Sequence, residues 1–210
     1  MNKIILAVPK GRILEELKPF LLSKNILIEE DFFNENSRKL IFNTNIDNLE
    51  VVKVRSFDVA NIVKYGGADI GICGRDVIEE FSSSEIYSIL DLNIGKCRLS
   101  IAQPNNADKN FANYRQLKVA TKYLNIAKKY FNQQGFQAEF IKLNGSIEIA
   151  TKLNLCDFIV DLVSSGTTLI ENNMIETCKI LDVSSFLIAN RNSLKNKNSA
   201  IYSLIKMFDE

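Results

Sequence analysis

Apolar and polar positions along the chain switch repeatedly between two periods. Residues 3–8 (KIILAV) form an apolar run ending at Pro9, and Ile13, Leu14, Leu17, Phe20 and Leu21 then recur at helical spacing. Residues 38–43 and 49–55 are β-rich and separated by the turn-like NTNIDN. Ser56 is placed to cap a helix running to Tyr65, with Val59, Ile62 and Val63 on one face, and Gly66 and Gly67 stop it. The run ADIGICG reads as a buried strand followed by a helix starting at Arg75 and Asp76. Residues 86–91 and 97–102 predict two further strands. The polar stretch QPNNADKN at 103–110 breaks the rhythm.

The rhythm then restarts. Residues 117–121 predict a strand, 123–134 a helix stopped by Gly135, 138–143 a strand, 146–153 a short helix and 158–162 (FIVDL) a buried strand. The small-residue loop VSSGTT leads into the helix LIENN. Residues 178–190 hold one or two strands, and 198–208 a closing helix with Ile201, Leu204, Ile205 and Phe208 on one side. Such alternation predicts an α/β fold with mixed, mostly parallel sheets. The break near 100–116 predicts two lobes. Residues 1–95 with 178–210 would form the first, and residues 96–177 an inserted second lobe, with a ligand cleft between.

Composition sharpens the functional side through one absence. The 210 residues include no histidine. Ser-His-Asp and Cys-His nucleophile pairs are excluded, as is any imidazole base or metal ligand. Chemistry must come from carboxylates, Lys, Arg, hydroxyls, backbone amides or a recruited cation. The 26 basic and 25 acidic residues leave a formal charge of +1, which argues against a general nucleic-acid or membrane-surface binder but allows a local basic pocket. Cys73, Cys97, Cys156 and Cys178 form no CxxC pair and read as free, mostly buried thiols in a reducing compartment. The apolar run at the N-terminus is too short for a signal peptide, and no stretch approaches the roughly 20 apolar residues of a membrane span. A cytoplasmic protein is expected.

Four groups of residues could carry chemistry. Asp161 to Leu169 (DLVSSGTTL) follows an apolar strand and precedes a helix. Amides near Gly166 and the hydroxyls of Ser164, Ser165, Thr167 and Thr168 would suit anionic oxygens, and Asp161 would suit ribose hydroxyls. A plain N-capped helix explains the same composition equally well. Lys10 and Arg12, at the end of the first strand, could hold phosphates or simply be a solvated turn. Gly71 to Asp76 (GICGRD) is not a dinucleotide fingerprint, and its glycines suit tight packing and a turn. Arg38 and Arg55 flank early strands, either as surface charges or as cations beside a cleft.

The ordered stretches LAVPKGRILEE, SRKLIF, GGADIGICGRDVIEE, LDLNIGKCRLSIA, VATKYLNIAKKYF, IKLNGSIEIA and IVDLVSSGTTLIENNMIE resemble the ATP phosphoribosyltransferase family in its short form. The resemblance reaches about residue 190 and includes the family signature, Glu148 followed by the Asp161-to-Thr168 loop. Inside that signature, Asn154 stands where the family has Gly and Cys156 where it has a small residue. Asn tolerates a left-handed backbone, and Cys is small enough to bury, so neither change should harm the loop. The resemblance implies two α/β lobes of the type II periplasmic-binding-protein kind. It also implies the first step of histidine biosynthesis, in which phosphoribosyl pyrophosphate (PRPP) and ATP give phosphoribosyl-ATP and pyrophosphate, with Mg²⁺ on the pyrophosphate.

By the same resemblance, Asp161, Ser164, Ser165, Gly166, Thr167, Thr168 and Glu148 would bind PRPP. Lys10, Arg12, Asp69, Gly74 and Asp91 would serve ATP, with Asp69, Asp91 and Glu148 the weaker ligand or Mg²⁺ contacts. Arg55, Arg38 and Lys10 would act on the leaving group. Short-form members form homodimers alone. With a regulatory subunit similar to histidyl-tRNA synthetase they form a hetero-octamer. The competing reading is a non-enzymatic two-lobed protein that binds a small anion.

Overall fold

Both faces of the first strand are apolar because both are covered. Ile4, Leu6 and Val8 point into one core and Ala7 into another, and Leu6, Ala7 and Val8 have no exposed surface. That is why residues 3–8 read as a continuous run rather than an alternating one. The computed structural model describes residues 3–11, 13–34, 36–108, 110–114 and 116–209.

The chain begins with β1 (Ile4–Pro9), α1 (Ile13–Ser23), β2 (Ile41–Asn43), β3 (Leu49–Val54), α2 (Ser56–Lys64), β4 (Ile70–Gly74), α3 (Arg75–Phe81) and β5 (Ile86–Asp91). It continues with β6 (Cys97–Pro104), β7 (Leu117–Thr121), α4 (Leu124–Gln133), β8 (Ala138–Lys142), α5 (Ile149–Lys152), β9 (Phe158–Val163), α6 (Thr167–Glu171) and β10 (Met174–Val183). It ends with β11 (Ser185–Asn190), α7 (Arg191–Asn196) and α8 (Asn198–Asp209). Two compact units result: Met1–Gly95 with Ser184–Glu210, and Lys96–Val183.

The first unit is a six-stranded sheet in the order β2-β3-β1-β4-β11-β5. Strands β3, β1 and β4 are parallel, while β2, β11 and β5 pair antiparallel with their neighbours. Helices α1 and α8 cover one face through Leu17, Leu21, Ile201, Leu204 and Phe208. Helices α2 and α3 cover the other through Val59, Ala60, Val63 and Val77. Ser56 is not the cap of α2. Arg55 takes that position with φ −72° and ψ 149°, and Ser56 opens the helix.

Helix α2 lies so close to β4 that a Cβ on Gly71 would meet Val59 Cγ1 and Val63 Cγ2 at 2.8 Å. Gly71→Ala should therefore cost about 1–3 kcal/mol of stability by overpacking. A thermal midpoint equal to the parent's would show that the helix can move aside.

The second unit is a five-stranded sheet, order β10-β6-β9-β7-β8. Strands β8, β7 and β9 are parallel, and β6 and β10 are antiparallel additions. One face carries small and medium side chains, including Ala150 of α5, Leu169 of α6 and Cys156 just before β9. The other buries an aromatic cluster in which Phe158 meets Phe111 at 4.8 Å and Tyr114 at 5.0 Å between ring centroids.

Residues 178–183 correct one expected boundary. They complete β10, which pairs with β6 from Met174 to Val183, so they belong to the second unit and not the first. Both sheets are mixed, but the antiparallel share is larger than expected. Strands β5, β6, β10 and β11 flank the two points where the chain passes from one unit to the other, and each pairs antiparallel. Asn154 has φ +53°, the left-handed backbone that Asn supports, and Cys156 is buried, so both departures fit their places. Burial raises the Cys156 thiol to about 11, which keeps it protonated and inert at neutral pH.

Candidate active site

In the first unit the parallel strands bring a row of cations to their carboxyl edge. Lys10 follows β1, and its amide continues the ladder by donating to the Val54 carbonyl at 2.8 Å. Arg55 follows β3, and Arg75 follows β4. Arg38 joins them through strand direction. Strand β2 pairs Ile41 with Val52, and Lys53 donates its amide to the Leu40 carbonyl. Arg38 lies shortly before β2, whose antiparallel pairing with β3 puts the residues that precede it on the side of the same edge.

Four cations thus gather at this edge, Arg55, Lys10 and Arg75 directly after the neighbouring strands β3, β1 and β4, which are spaced about 4.8 Å apart, and Arg38 shortly before β2. All four are exposed. Arg75 makes a loose contact with Glu79 at 3.7 Å, and among the described residues the other three are in no ion pair. Cations so placed repel one another, and a bound polyanion would relieve that repulsion. Arg75 belongs to the GICGRD segment, where sequence reading assigned it no ligand role of its own. Arg12 lies outside the described residues.

Gly74 caps α3 at this edge with φ −68° and is buried. Asp91 reaches the same edge because β5 runs antiparallel to β11, and β11 antiparallel to β4. Its carboxylate accepts from the Asn93 amide and the Ser184 hydroxyl, both at 2.9 Å, which fixes its direction.

Asp69 is different. It precedes β4 and so sits at the opposite, amino edge of the sheet. Only 6% of it is exposed, and it accepts from the Ile5 amide, the Ser193 hydroxyl and Lys197 Nζ at 3.0, 2.7 and 2.9 Å. It ties the C-terminal helices to the sheet. That position separates it from Gly74 and Asp91, which lie at the carboxyl edge.

In the second unit the loop after β9 also lies at the carboxyl edge of parallel strands. Gly166 has φ +85°, a conformation that disfavours any side chain. Ser165 Oγ and Thr167 Oγ1 are 2.9 Å apart, and the Thr167 amide donates to Ser165 Oγ at 3.3 Å. Ser164, Ser165, Thr167 and Thr168 are all exposed. Asp161 lies within β9, half-buried, and its Oδ1 accepts from the Leu162 amide at 2.8 Å. Glu148 is half-buried at the start of α5, after β8. Strands β8 and β9 both run parallel to β7, so their following loops share one edge. A plain capped helix does not require so many hydroxyls around a left-handed glycine.

Arg98, Ser100 and Glu176 also belong to this loop's surroundings, and sequence reading missed them. Arg98 and Glu176 are 78 residues apart and meet only through the β6–β10 pairing. The one local hint was a charged residue set inside the apolar strand CRLSIA.

Among the described residues no helix is long and apolar enough to cross a membrane. The family model HisG, ATP phosphoribosyltransferase, matches residues 55–210. The ATP phosphoribosyltransferase of Novosphingobium aromaticivorans is 46% identical over 207 residues, covering 98% of this chain and 93% of that protein. The Gluconobacter oxydans ATP phosphoribosyltransferase is 48% identical over 208 residues, with 99% and 86% coverage. The fold is similar to ATP phosphoribosyl transferase in the HisG:HisZ complex from Thermotoga maritima, with a TM-score of 0.80 and 27% identity over 98% of this chain and 96% of that one. Near-complete coverage by such relatives, on a scaffold carrying a cationic edge and a Ser/Gly/Thr loop, means that the chain belongs to the ATP phosphoribosyltransferase family.

Proposed function

We propose that the residues described above carry out the family's transfer of phosphoribosyl from PRPP to N1 of the ATP adenine, releasing pyrophosphate. The observation that carries this assignment is the row of exposed cations at the carboxyl edge of the first unit. Adenine N1 is a neutral nucleophile with a free lone pair, so no base need deprotonate it. Pyrophosphate leaves as an anion and needs its charge neutralised. The reaction therefore calls for alignment and electrostatics, which arginine, lysine and amides provide without an imidazole. That fits a chain with no histidine on the route that makes histidine.

Arg55 and Arg38, with Lys10, would stabilise the departing pyrophosphate. Lys10, Arg12, Gly74 and Asp91 would serve ATP. Asp161 would hold the ribose hydroxyls of PRPP, and Ser164 to Thr168 its 5-phosphate, with Glu148 nearby on the same edge. Mg²⁺ would ride on the pyrophosphate oxygens and neutralise their charge. Asp91, a fixed carboxylate at the cationic edge, has the hard oxygen donors that suit such an ion. A HisZ-like regulatory subunit, similar to histidyl-tRNA synthetase, would be the partner, in a cytoplasmic hetero-octamer. A passive anion-binding protein would not explain near-full-length identity to named transferases.

Phosphoribosyl-ATP formation from ATP and PRPP, followed by ultraviolet absorbance, tests the reaction. The loop assignment has its own test. Asp161→Asn combined with Thr168→Val should weaken PRPP binding by about tenfold or more, since hydrogen bonds to charged groups are worth roughly 1.5–3 kcal/mol each. Calorimetry showing the parent's affinity would remove residues 161–168 from the PRPP site.

A further inference from the structure

The loop after β9 is gripped from one side by a pair of charges on the strands where the chain enters and leaves the second unit. Arg98 on β6 lies opposite Val163 on β9 and opposite Asp182 on β10. Its Nε and Nη2 donate to Glu176 Oε1 and Oε2 at 2.6 and 2.5 Å, a two-pronged guanidinium–carboxylate pair. Its Nη1 donates to the Ser164 carbonyl at 3.2 Å. Glu176 is itself held, because Ser100 Oγ donates to its Oε1 at 2.7 Å and Ser100 is fully buried. The register of β10 slips between Glu176 and Cys178, an irregularity that re-aims side chains along the strand.

Geometry then limits what Arg98 can do. A guanidinium is planar, and two of its donors on one carboxylate fix both its rotation and the direction of the remaining group. That group points at Ser164. The peptide linking Ser164 to Ser165 is planar and trans, so its carbonyl and its N–H face opposite ways. Fixing the Ser164 carbonyl on Arg98 therefore turns the Ser165 amide away from Arg98. It also sets where Gly166, with φ +85°, begins its turn. The mutual hydrogen bonds keep the Glu176 carboxyl below its usual range and the Arg98 guanidinium above its own, so both stay charged throughout the neutral range.

We infer that Arg98 is a positioning residue for the Ser164–Thr168 loop, held in place by Glu176 and Ser100, and that it presets the loop to receive the 5-phosphate of PRPP. This rests on reading that loop as the PRPP site. Ser100 stands opposite Asp161 in the β6–β9 register, so the same support lies under both ends of the segment.

The test uses the full chain, with its regulatory subunit where it has one, and compares Arg98→Ala, Arg98→Lys, Glu176→Gln and Thr168→Val. Arg98→Ala should raise KM for PRPP by about tenfold, with KM for ATP within about twofold of the parent. Arg98→Lys should recover little of this, because an ammonium keeps the charge but not the fork. Glu176→Gln should shift KM for PRPP in the same direction by a smaller factor. If Arg98→Ala does not fold, Arg98→Lys and Glu176→Gln carry the measurement. A lower thermal midpoint with both KM values unchanged would make the pair a structural tie and overturn the inference. Thr168→Val separates the two levels. If it weakens PRPP binding and the Arg98 variants do not, the loop reading stands and the positioning role falls. If it has no effect, the loop reading falls and takes the positioning role with it.

Discussion

Arg55→Ala is expected to slow the chemical step by about 10²–10³-fold, the usual loss when a donor aimed at developing transition-state charge is removed, and to leave the protein as stable as before. The stability half follows from where Arg55 sits. It caps α2, but arginine offers no acceptor to the free amides of a helix start, and its side chain makes no cap hydrogen bond. What it does supply there, the carbonyl that accepts from the Asp58 and Val59 amides, is backbone and survives in alanine. Its charge sits at the positive end of the helix, with Lys10 following the neighbouring strand, which is unfavourable in the absence of a ligand. Removing it should change stability by no more than about 0.5 kcal/mol.

Few structural residues combine a large kinetic loss with no thermal loss. The combination would mark a charge kept for the reaction. Single-turnover rates at saturating ATP and PRPP, set beside thermal unfolding, decide the matter. A wild-type single-turnover rate would remove Arg55 from the leaving-group role. Arg55→Lys should fall between the two, since it keeps charge but loses the bidentate fork.

Much of the fold is legible in the sequence because buried strands such as β1 and β4 are apolar on both faces and end in Pro9 and Gly74. The Asn154 turn and the closing helix with Ile201, Leu204 and Phe208 were equally plain. What escaped was information that is not local. Which unit owns residues 178–183 depends on β10 pairing with β6, about 80 residues away in sequence. Helix α7 buries none of its residues, so it has no apolar stripe; its one signal was Asn190, whose side chain accepts from the amides of Asn192 and Ser193. At the site, the cations were visible as single residues. Their gathering at one edge was not, because it follows from strand order and direction, including the antiparallel step that puts Arg38, ahead of β2, on the same side as Arg55. The same gap hid which edge of the sheet Asp69 occupies. ADIGICG shows a buried strand with polar groups near each end, and only the direction of the neighbouring strands tells which end belongs to the cationic edge.

Asp69→Ala should accordingly destabilise the protein by about 2–4 kcal/mol and leave substrate binding alone. Its carboxylate has three donors in a place that is 6% exposed, and Lys197 is the charged one. Breaking such a pair leaves a cation without its partner, which costs about 3–5 kcal/mol when both charges are fully buried. The Lys197 side chain keeps 25% of its surface exposed and also donates to the Lys3 carbonyl, so the expected loss is shifted about 1 kcal/mol below that range. The Ile5 amide and the Ser193 hydroxyl lose their acceptor as well. Asp69→Asn restores shape and one acceptor oxygen but no charge, and should recover less than half of the loss.

Combining Asp69→Ala with Lys197→Met should cost less than the sum of the two, because each charge is penalised mainly when the other is missing. Hydrogen exchange should rise first in α7 and α8, the elements this cluster anchors. KM for ATP and for PRPP, measured below the unfolding transition, should stay within about twofold of the parent, as expected for a change that touches neither ligand. A raised KM for ATP with an unchanged thermal midpoint would assign Asp69 to the nucleotide site and refute its reading as a structural anchor.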